Sequence, residues 1–360
     1  MQVLLKSKAR GKFHVNDVNI AVVIVTYKSA GLTIDCLASI EAERRRSQNL
    51  NIRVIVVDNA SGDLPQIRQA VDQNAWSWVT LLLAPVNGGF AYGNNLGIST
   101  AYETGRPNYV HLLNPDTQVR RGAIAALVEF LECHPHVGIA GSSFETEDGA
   151  DWPFAFRFPT MLSEIEHGVE LGLVSRCLSR WSVARSMNSV AQPSDWISGA
   201  SMMIRPSVFA AIGCLDENFF LYFEETEFCH RARQAGFSTW YVPESRVMHM
   251  IGKSTNVNES SRFRRRLPGY WFDSRTRYYA STRNLRSAAL IDVVAITASL
   301  VGLLKRTLLR RPSTPHYIRD LLAHSTLLRK NRHLAPLKSY RPPTSLAGTE
   351  RPWPGHSTDA

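Results

Sequence analysis

The chain has 360 residues, 44% of them hydrophobic and 20% charged, with a formal net charge of +10. That apolar content buries a sizeable core and excludes a disordered protein, and the length suits one large domain with appendages or two domains. The five cysteines, Cys36, Cys133, Cys177, Cys214 and Cys229, are odd in number and contain no CxxC pair. This argues against a disulfide framework or a zinc ribbon and suits a reducing compartment.

The charge is unevenly placed. Residues 262–360 hold 19 Lys/Arg against 5 Asp/Glu, whereas the preceding residues hold 22 against 26. Such a block suits an anionic membrane surface, a lipid diphosphate or nucleic acid. No nucleic-acid module or base-stacking platform accompanies it, so a membrane or lipid-linked partner is expected and nucleic acid is not. The N-terminal MQVLLKSKARGKFHV is basic without an apolar h-region, so no secretory signal is expected. Together these features predict a cytoplasmic protein, peripheral on the inner face of the cell membrane.

In chain order, 19–26 (NIAVVIVT) is a buried β-branched strand, and 32–46 carries Leu32, Cys36, Leu37 and Ile40 at helical spacing. Strands follow at 52–57, 78–83 and 109–113, with helices near 64–73 and 91–102. Strand alternating with helix predicts a mostly parallel sheet flanked by helices, with ligands gathering at the carboxyl ends of the strands. A helix at 124–133 and a strand at 137–140 come next, and 144–192 shows no clean period. Order returns with a strand at 196–204, a helix at 206–212, a helix opening on Glu224-Glu225 that Gly236 caps, and closing strands at 239–242 and 247–250. Residues 262–286 are Arg- and aromatic-rich and predict helix. Ala288 to Leu304 is nearly continuous apolar, broken by Asp292, Thr297 and Ser299, and is followed by Lys305, Arg306, Arg310 and Arg311. It fits a helix lying in or on a membrane surface better than a span of ~20 apolar residues. The tail from Pro312 is polar and Pro-rich and ends in a stretch of disordered composition.

Several strand ends carry polar signals. Asp58, opening Asp58-Asn59-Ala60-Ser61, can accept hydrogen bonds from a pyrimidine ring nitrogen or a ribose hydroxyl, and the same residues make an Asx turn on their own account. Thr26 and Tyr27 line the other wall of such a base pocket or simply end a strand. Asn87-Gly88-Gly89 lets backbone N–H groups approach a phosphate at a helix start, and is otherwise a turn.

Seven phrases in order make the chain resemble a family 2 glycosyltransferase with the GT-A fold, in its rhamnosyltransferase-type branch. They are VVIVTYKSAG, VIVVDNASGD, NGGFAYGNNLGI, LLNPDTQV, the run ISGASMMIRPSVFAAIGCLDENFFLYFEETEFCHRARQAGF from Ile197 to Phe237, VMHMIGKST and RYYASTRN. They run from about residue 20 to about 285.

The resemblance implies an inverting, metal-dependent sugar transfer from a nucleotide diphosphate sugar, with dTDP-L-rhamnose leading. The acceptor is a saccharide or a polyprenyl-diphosphate-linked glycan in cell-surface polysaccharide synthesis. It implies donor contacts at Thr26, Tyr27, Asp58, Asn59, Asn87, Gly88, Gly89, Asn95 and Asn114. Asn114-Pro115-Asp116 stands where relatives carry Asp-x-Asp, leaving Asp116 for Mg2+ or Mn2+. His249, with Gly252 and Ser254, is implied as a second ligand or a diphosphate contact. Glu225 falls at the catalytic-base position, with Glu224 left open as the alternative. Both acids also stabilise the helix dipole wherever they stand.

Trp196, Gly199, Asp216 and Glu217 are implied at the sugar or acceptor cleft, where the last two alternatively form a turn. Arg277 to Asn284 is read as packing plus capture of a lipid diphosphate. The expected organisation is an N-terminal extension (1–19), a GT-A domain (20–255), a basic apolar helical region (256–311) and a polar tail (312–360), and self-association is compatible with it. A sugar nucleotidyltransferase and a non-catalytic scaffold of a polysaccharide assembly complex are the competing readings. The first wants a Gly-rich basic phosphate loop after the first strand, which VTYKSAGL matches poorly.

Overall fold

A computed structural model describes residues 18–47, 49–152, 154–169, 176–250, 266–311 and 315–328. Gly252, Ser254, Arg262, the N-terminal extension up to residue 17 and the tail beyond 328 lie outside the described residues.

The first half forms as its periodicity predicts: β1 Val18–Thr26, α1 Ala30–Arg44, β2 Leu50–Asp58, α2 Leu64–Gln73, β3 Val79–Leu83, α3 Gly89–Thr104 and β4 Tyr109–Leu113. β1 pairs in parallel with β2 on one side and β4 on the other, and β3 pairs with β2. The order in which strands are added therefore switches sides between β1 and β4, and a crevice for ligands opens at the carboxyl ends of those strands. β1 is solidly apolar because both its faces are covered.

Beyond β4 the sheet becomes mixed. β5 Thr117–Val119, α4 Ala123–Cys133, β6 Val137–Glu145, β7 Asp151–Trp152 and β8 Phe154–Phe156 are followed by α5 Met161–Val169, β9 Ala184–Ser186 and β10 Gln192–Ser194. β11 Ser201–Ile204, α6 Pro206–Ile212, α7 Glu224–Gln234 and β12 Ser238–His249 complete the sheet, in the order β10-β12-β6-β11-β4-β1-β2-β3. The two predicted closing strands are one: β12 runs through both, and Pro243 to Ser245 bulge out between Val242 and Arg246 as it pairs with β6. A buried polar chain, His111 to Ser201 at 2.9 Å, Ser201 to Ser142 at 2.6 Å and Ser142 to Ser245 at 2.7 Å, stitches β4, β11, β6 and the bulge together. Burial pushes the His111 pKa down to about 3, so the ring is neutral.

The basic region folds onto this body as α8 Gly269–Thr282, α9 Leu285–Leu308 and α10 Pro315–Ala323. Asn284 caps α9, its side chain accepting from the Ser287 N–H at 2.8 Å. α9 is amphipathic in an inverted sense. Ala288, Ile291, Asp292, Ala295, Ala298 and Gly302 face the protein, while Leu290, Val293, Leu300, Val301, Leu304 and Leu308 face outward. Small residues let α9 approach α5 closely: a Cβ on Gly302 would stand 2.1 Å from the Gly168 carbonyl oxygen.

The apparent interruption at Asp292 is an inward anchor. Its carboxylate accepts from Arg275 at 2.7 Å and from the backbone and hydroxyl of Thr326 at 2.8 Å each. Arg275, itself fully buried, also binds Glu164 of α5 at 3.0 Å. Removing one member of a buried pair strands the other charge, so Asp292→Ala is expected to lower unfolding stability by about 3 kcal/mol. A urea midpoint equal to wild type would show that the pair does not hold α9 in place.

Candidate active site

β4 ends at Leu113, and its neighbour β11 begins opposite it at Ser201. The Asn114 N–H donates to the Ala200 carbonyl at 3.1 Å, so the Asn114-Pro115-Asp116 step and the Gly199-Ala200 step share one end of the sheet. β5 then pairs with the end of β12, setting Thr117 against His249, and the Met250 N–H donates to the Asp116 carbonyl at 2.9 Å. This register brings the His249 Nε2 to 3.5 Å from the Asp116 Oδ1. Asp116 is buried, and the His249 Nδ1 is buried without a hydrogen-bond partner among the described residues. One carboxylate and one imidazole fit a divalent cation whose remaining positions are filled by substrate phosphates and water. Among the described residues, no group of three or more His, Cys, Asp or Glu gathers as a self-sufficient metal cage.

α7 opens on Glu224 and Glu225, and the Gly199 N–H lies near enough to the Glu225 carboxylate to lower its pKa. Gly199 has little room for a side chain, since a Cβ there would stand 2.9 Å from the Phe90 ring and 4.0 Å from the Glu225 Cβ. Glu224 is buried at 2% exposure, whereas Glu225 is half-exposed. The Oε2 atom of each is covered and has no hydrogen-bond partner among the described residues. Burial drives the Glu225 pKa up to about 7, its own N–H and that of Gly199 holding it from rising further. Burial and then the neighbouring Glu225 raise Glu224 well above the ordinary range. Burial thus raises both carboxyls, and Glu225 is the less buried of the two.

The segment leading into the pair is a strap, residues 213–223, suspended between two helices. From α3, the Asn95 amide nitrogen donates to the Leu215 carbonyl and to Glu217, each at 2.9 Å, and its oxygen accepts from the Leu215 N–H. The Phe90 N–H donates to the Phe220 carbonyl at 2.8 Å. Gly89 makes that approach possible: its φ is +86°, and a Cβ would stand 1.9 Å from the same carbonyl oxygen. From α8, Arg277 donates through Nε to Asp216 at 2.8 Å, and the Ser274 hydroxyl donates to the Leu221 carbonyl at 3.0 Å. Arg231 of α7 grips the Ile212 and Cys214 carbonyls.

The predicted site residues have these partners within the chain. Asp58 is fully buried and spends its carboxylate on its own turn, accepting from the Ser61 N–H and hydroxyl and from the N–H groups of Gly62, Asp63 and Leu64. The Asx-turn alternative is what forms, and it leads into α2. The buried Thr26 hydroxyl donates to Asp63 at 2.6 Å, leaving the exposed Tyr27 as the accessible part of that strand end. Asn59 clips the loop after β3, donating to the Asn87 side chain and the Gly89 carbonyl at 3.0 Å each. The N–H groups expected to meet a phosphate are partly spent: Gly88 donates to Asn59 at 3.4 Å, Gly89 to Asn87 at 3.2 Å, and Phe90 to the strap.

Asn95 serves as a strut for the strap. Asp216, fully buried, holds Arg277 through one oxygen and Asn218 through the other. Glu217 is half-buried against Asn95. Trp196 stacks on Phe156 with centroids 4.2 Å apart, its indole N–H donating to the Arg157 carbonyl at 2.9 Å.

A model of the family described as glycosyltransferase like family 2 matches residues 18–267. The chain belongs to glycosyltransferase family 2. It is 28% identical over 252 residues to the N-acetylglucosaminyl-diphospho-decaprenol L-rhamnosyltransferase of Mycobacterium tuberculosis, covering 67% of this chain and 78% of that protein. The dTDP-rhamnosyl transferase RfbF of Shigella flexneri is 24% identical over 241 residues, covering 66% and 72%. Among solved structures, GalNAc-T7 with UDP, GalNAc and Mn2+ superposes with a TM-score of 0.52 at 15% identity, over 85% of this chain and 57% of that one. The glycosyltransferase thus has the GT-A fold, with the α8–α10 extension added.

Sequence reasoning missed the strap and its struts in this glycosyltransferase. Only Asp292, set in an apolar run, carried a sequence signal of a buried charge. The raised acids also set a pH dependence. A carboxyl with a higher pKa folded than unfolded contributes stability that is complete below the ordinary range near 4.5 and is lost as pH rises through about 7. Glu225→Gln removes that loss, so its melting temperature is expected to exceed wild type by about 5 °C at pH 8 and by less than about 1 °C at pH 5. Calorimetry showing the same difference at both pH values would contradict this assignment.

Proposed function

We propose that this family 2 enzyme is an inverting rhamnosyltransferase. It takes L-rhamnose from dTDP-rhamnose and places it on a hydroxyl of a polyprenyl-diphosphate-linked saccharide in cell-envelope polysaccharide synthesis. The observation that carries the reading is the shared sheet end. The Asp116–His249 pair sits beyond β4, and Glu225 stands against Gly199, just before the neighbouring strand β11. The names of the two rhamnosyltransferase relatives support the donor and the lipid-linked acceptor.

In this reading Glu225 is the base. It is the less buried member of the pair, and burial raises its pKa to about 7, which suits a general base near neutrality. Glu224 is the more deeply buried neighbour, its pKa raised by burial and by Glu225. Asp116 and His249 hold Mg2+ or Mn2+, which when bound offsets charge on the departing diphosphate. Gly199 keeps the base aimed, and positioning of the reactants contributes up to ~7–11 kcal/mol of the barrier reduction.

The enzyme works at the cytoplasmic face of an anionic membrane. The outward residues of α9 enter the headgroup boundary, and Lys305, Arg306, Arg310 and Arg311 at its C-terminal end meet acidic lipids. The inward Asp292 keeps the helix flat against the protein rather than threaded through the bilayer.

Glu225→Gln is expected to lower transfer at least ~10²-fold with nucleotide affinity retained, and Asp116→Ala to weaken Mn2+-dependent nucleotide binding in calorimetry. Wild-type turnover in the first or unchanged Mn2+-dependent affinity in the second would refute the corresponding role. Leu300→Glu combined with Leu304→Glu, both at exposed positions, should abolish co-sedimentation with anionic liposomes while leaving the melting temperature in place. Undiminished co-sedimentation would refute the membrane seat.

A further inference from the structure

The strap does more than carry the glutamates. Its last two residues before Glu224, Tyr222 and Phe223, are both left-handed, with φ of 71° and 69°. For aromatic side chains this conformation is costly and persists only where the surroundings impose it. Here they do, through Phe90 on the Phe220 carbonyl, Ser274 on the Leu221 carbonyl, and the Phe223 ring wedged against Trp271 and Tyr278. Phe223 points into the protein, while Phe220 is 38% exposed and Tyr222 and Tyr270 are half-exposed. The Tyr270 ring lies 5.3 Å from Phe220 and 6.2 Å from Tyr222, nearly parallel to the latter at 18°.

We infer that Phe220, Tyr222 and Tyr270 form an aromatic shelf that binds a pyranose ring of the acceptor saccharide beside the catalytic base. The inference rests on the transferase reading above and extends it to an acceptor subsite. Three observations choose this occupant. The shelf adjoins the glutamate end of the site: the Phe220 carbonyl accepts from the Phe90 N–H, and the Phe90 ring stands against Gly199, which faces Glu225. Its surface is aromatic with two phenols, which suits the C–H face and hydroxyl rim of a sugar. The leucine and valine face of α9, in contrast, suits an acyl or prenyl chain. The strained backbone marks a position shaped for contact rather than for stability.

The test uses the full-length enzyme with dTDP-rhamnose as donor and a short-chain prenyl-diphosphate N-acetylglucosamine as acceptor. Tyr270→Ala and Phe220→Ala are each expected to raise the acceptor KM about tenfold, with the donor KM and kcat within about twofold of wild type. Tyr270→Phe, which keeps the ring, should return the acceptor KM to within about threefold. Thermal melts identify any variant that fails to fold, and because the two alanine variants lie on separate elements either one decides the matter. An acceptor KM unchanged in a folded alanine variant overturns the shelf, as does an equal rise in the donor KM. Absence of acceptor-dependent turnover in wild type would instead overturn the transferase reading beneath it.

Discussion

The site depends on one desolvated contact, the buried pairing of Arg277 with Asp216. Both groups have left water, and their attraction across a low-dielectric interior offsets that cost only because Asn218 occupies the remaining carboxylate oxygen. The pair fixes the strap to α8, and the strap fixes where α7 begins. Since α7 begins at the glutamates, their position is set by a contact in a distant part of the chain. Asn95 performs the matching task from α3. Two separate helices are thereby referenced to the same short segment.

A second constraint is electrostatic. Two adjacent acids at a helix start gain from the dipole, a stabilisation of about 0.3–1 kcal/mol that would favour ionisation of both. Burial opposes it and wins, because a desolvated carboxylate loses more than the dipole returns. The difference in burial then separates two residues of identical chemistry, Glu224 being the more deeply sealed. The cation pair is built by different means, since strand register alone brings Asp116 and His249 together.

Much of the sheet was legible because its strands are continuous β-branched runs separated by helical periods, and these patterns are local. The juxtaposition of Asp116 with His249 was legible only through the order of the motifs, since 133 positions of chain separate two residues that strand pairing makes neighbours. What the chain did not reveal was how polar groups divide their hydrogen bonds. Asp58, Thr26, Asn95 and Asp216 sit in motifs that suggest ligand contact, yet each satisfies its own backbone or a distant side chain, and nothing local distinguishes the two fates. The left-handed Tyr222-Phe223 step was equally hidden, because no glycine or asparagine announces it. Asp292 read as a defect in an apolar run and proved to be its point of attachment.

That attachment makes α9 part of the body rather than an appendage. A helix whose polar side is locked to its own domain cannot swing out as a tether without parting the buried Asp292 from Arg275. The sheet and the leucine-rich outer ridge of α9 therefore move as one rigid piece.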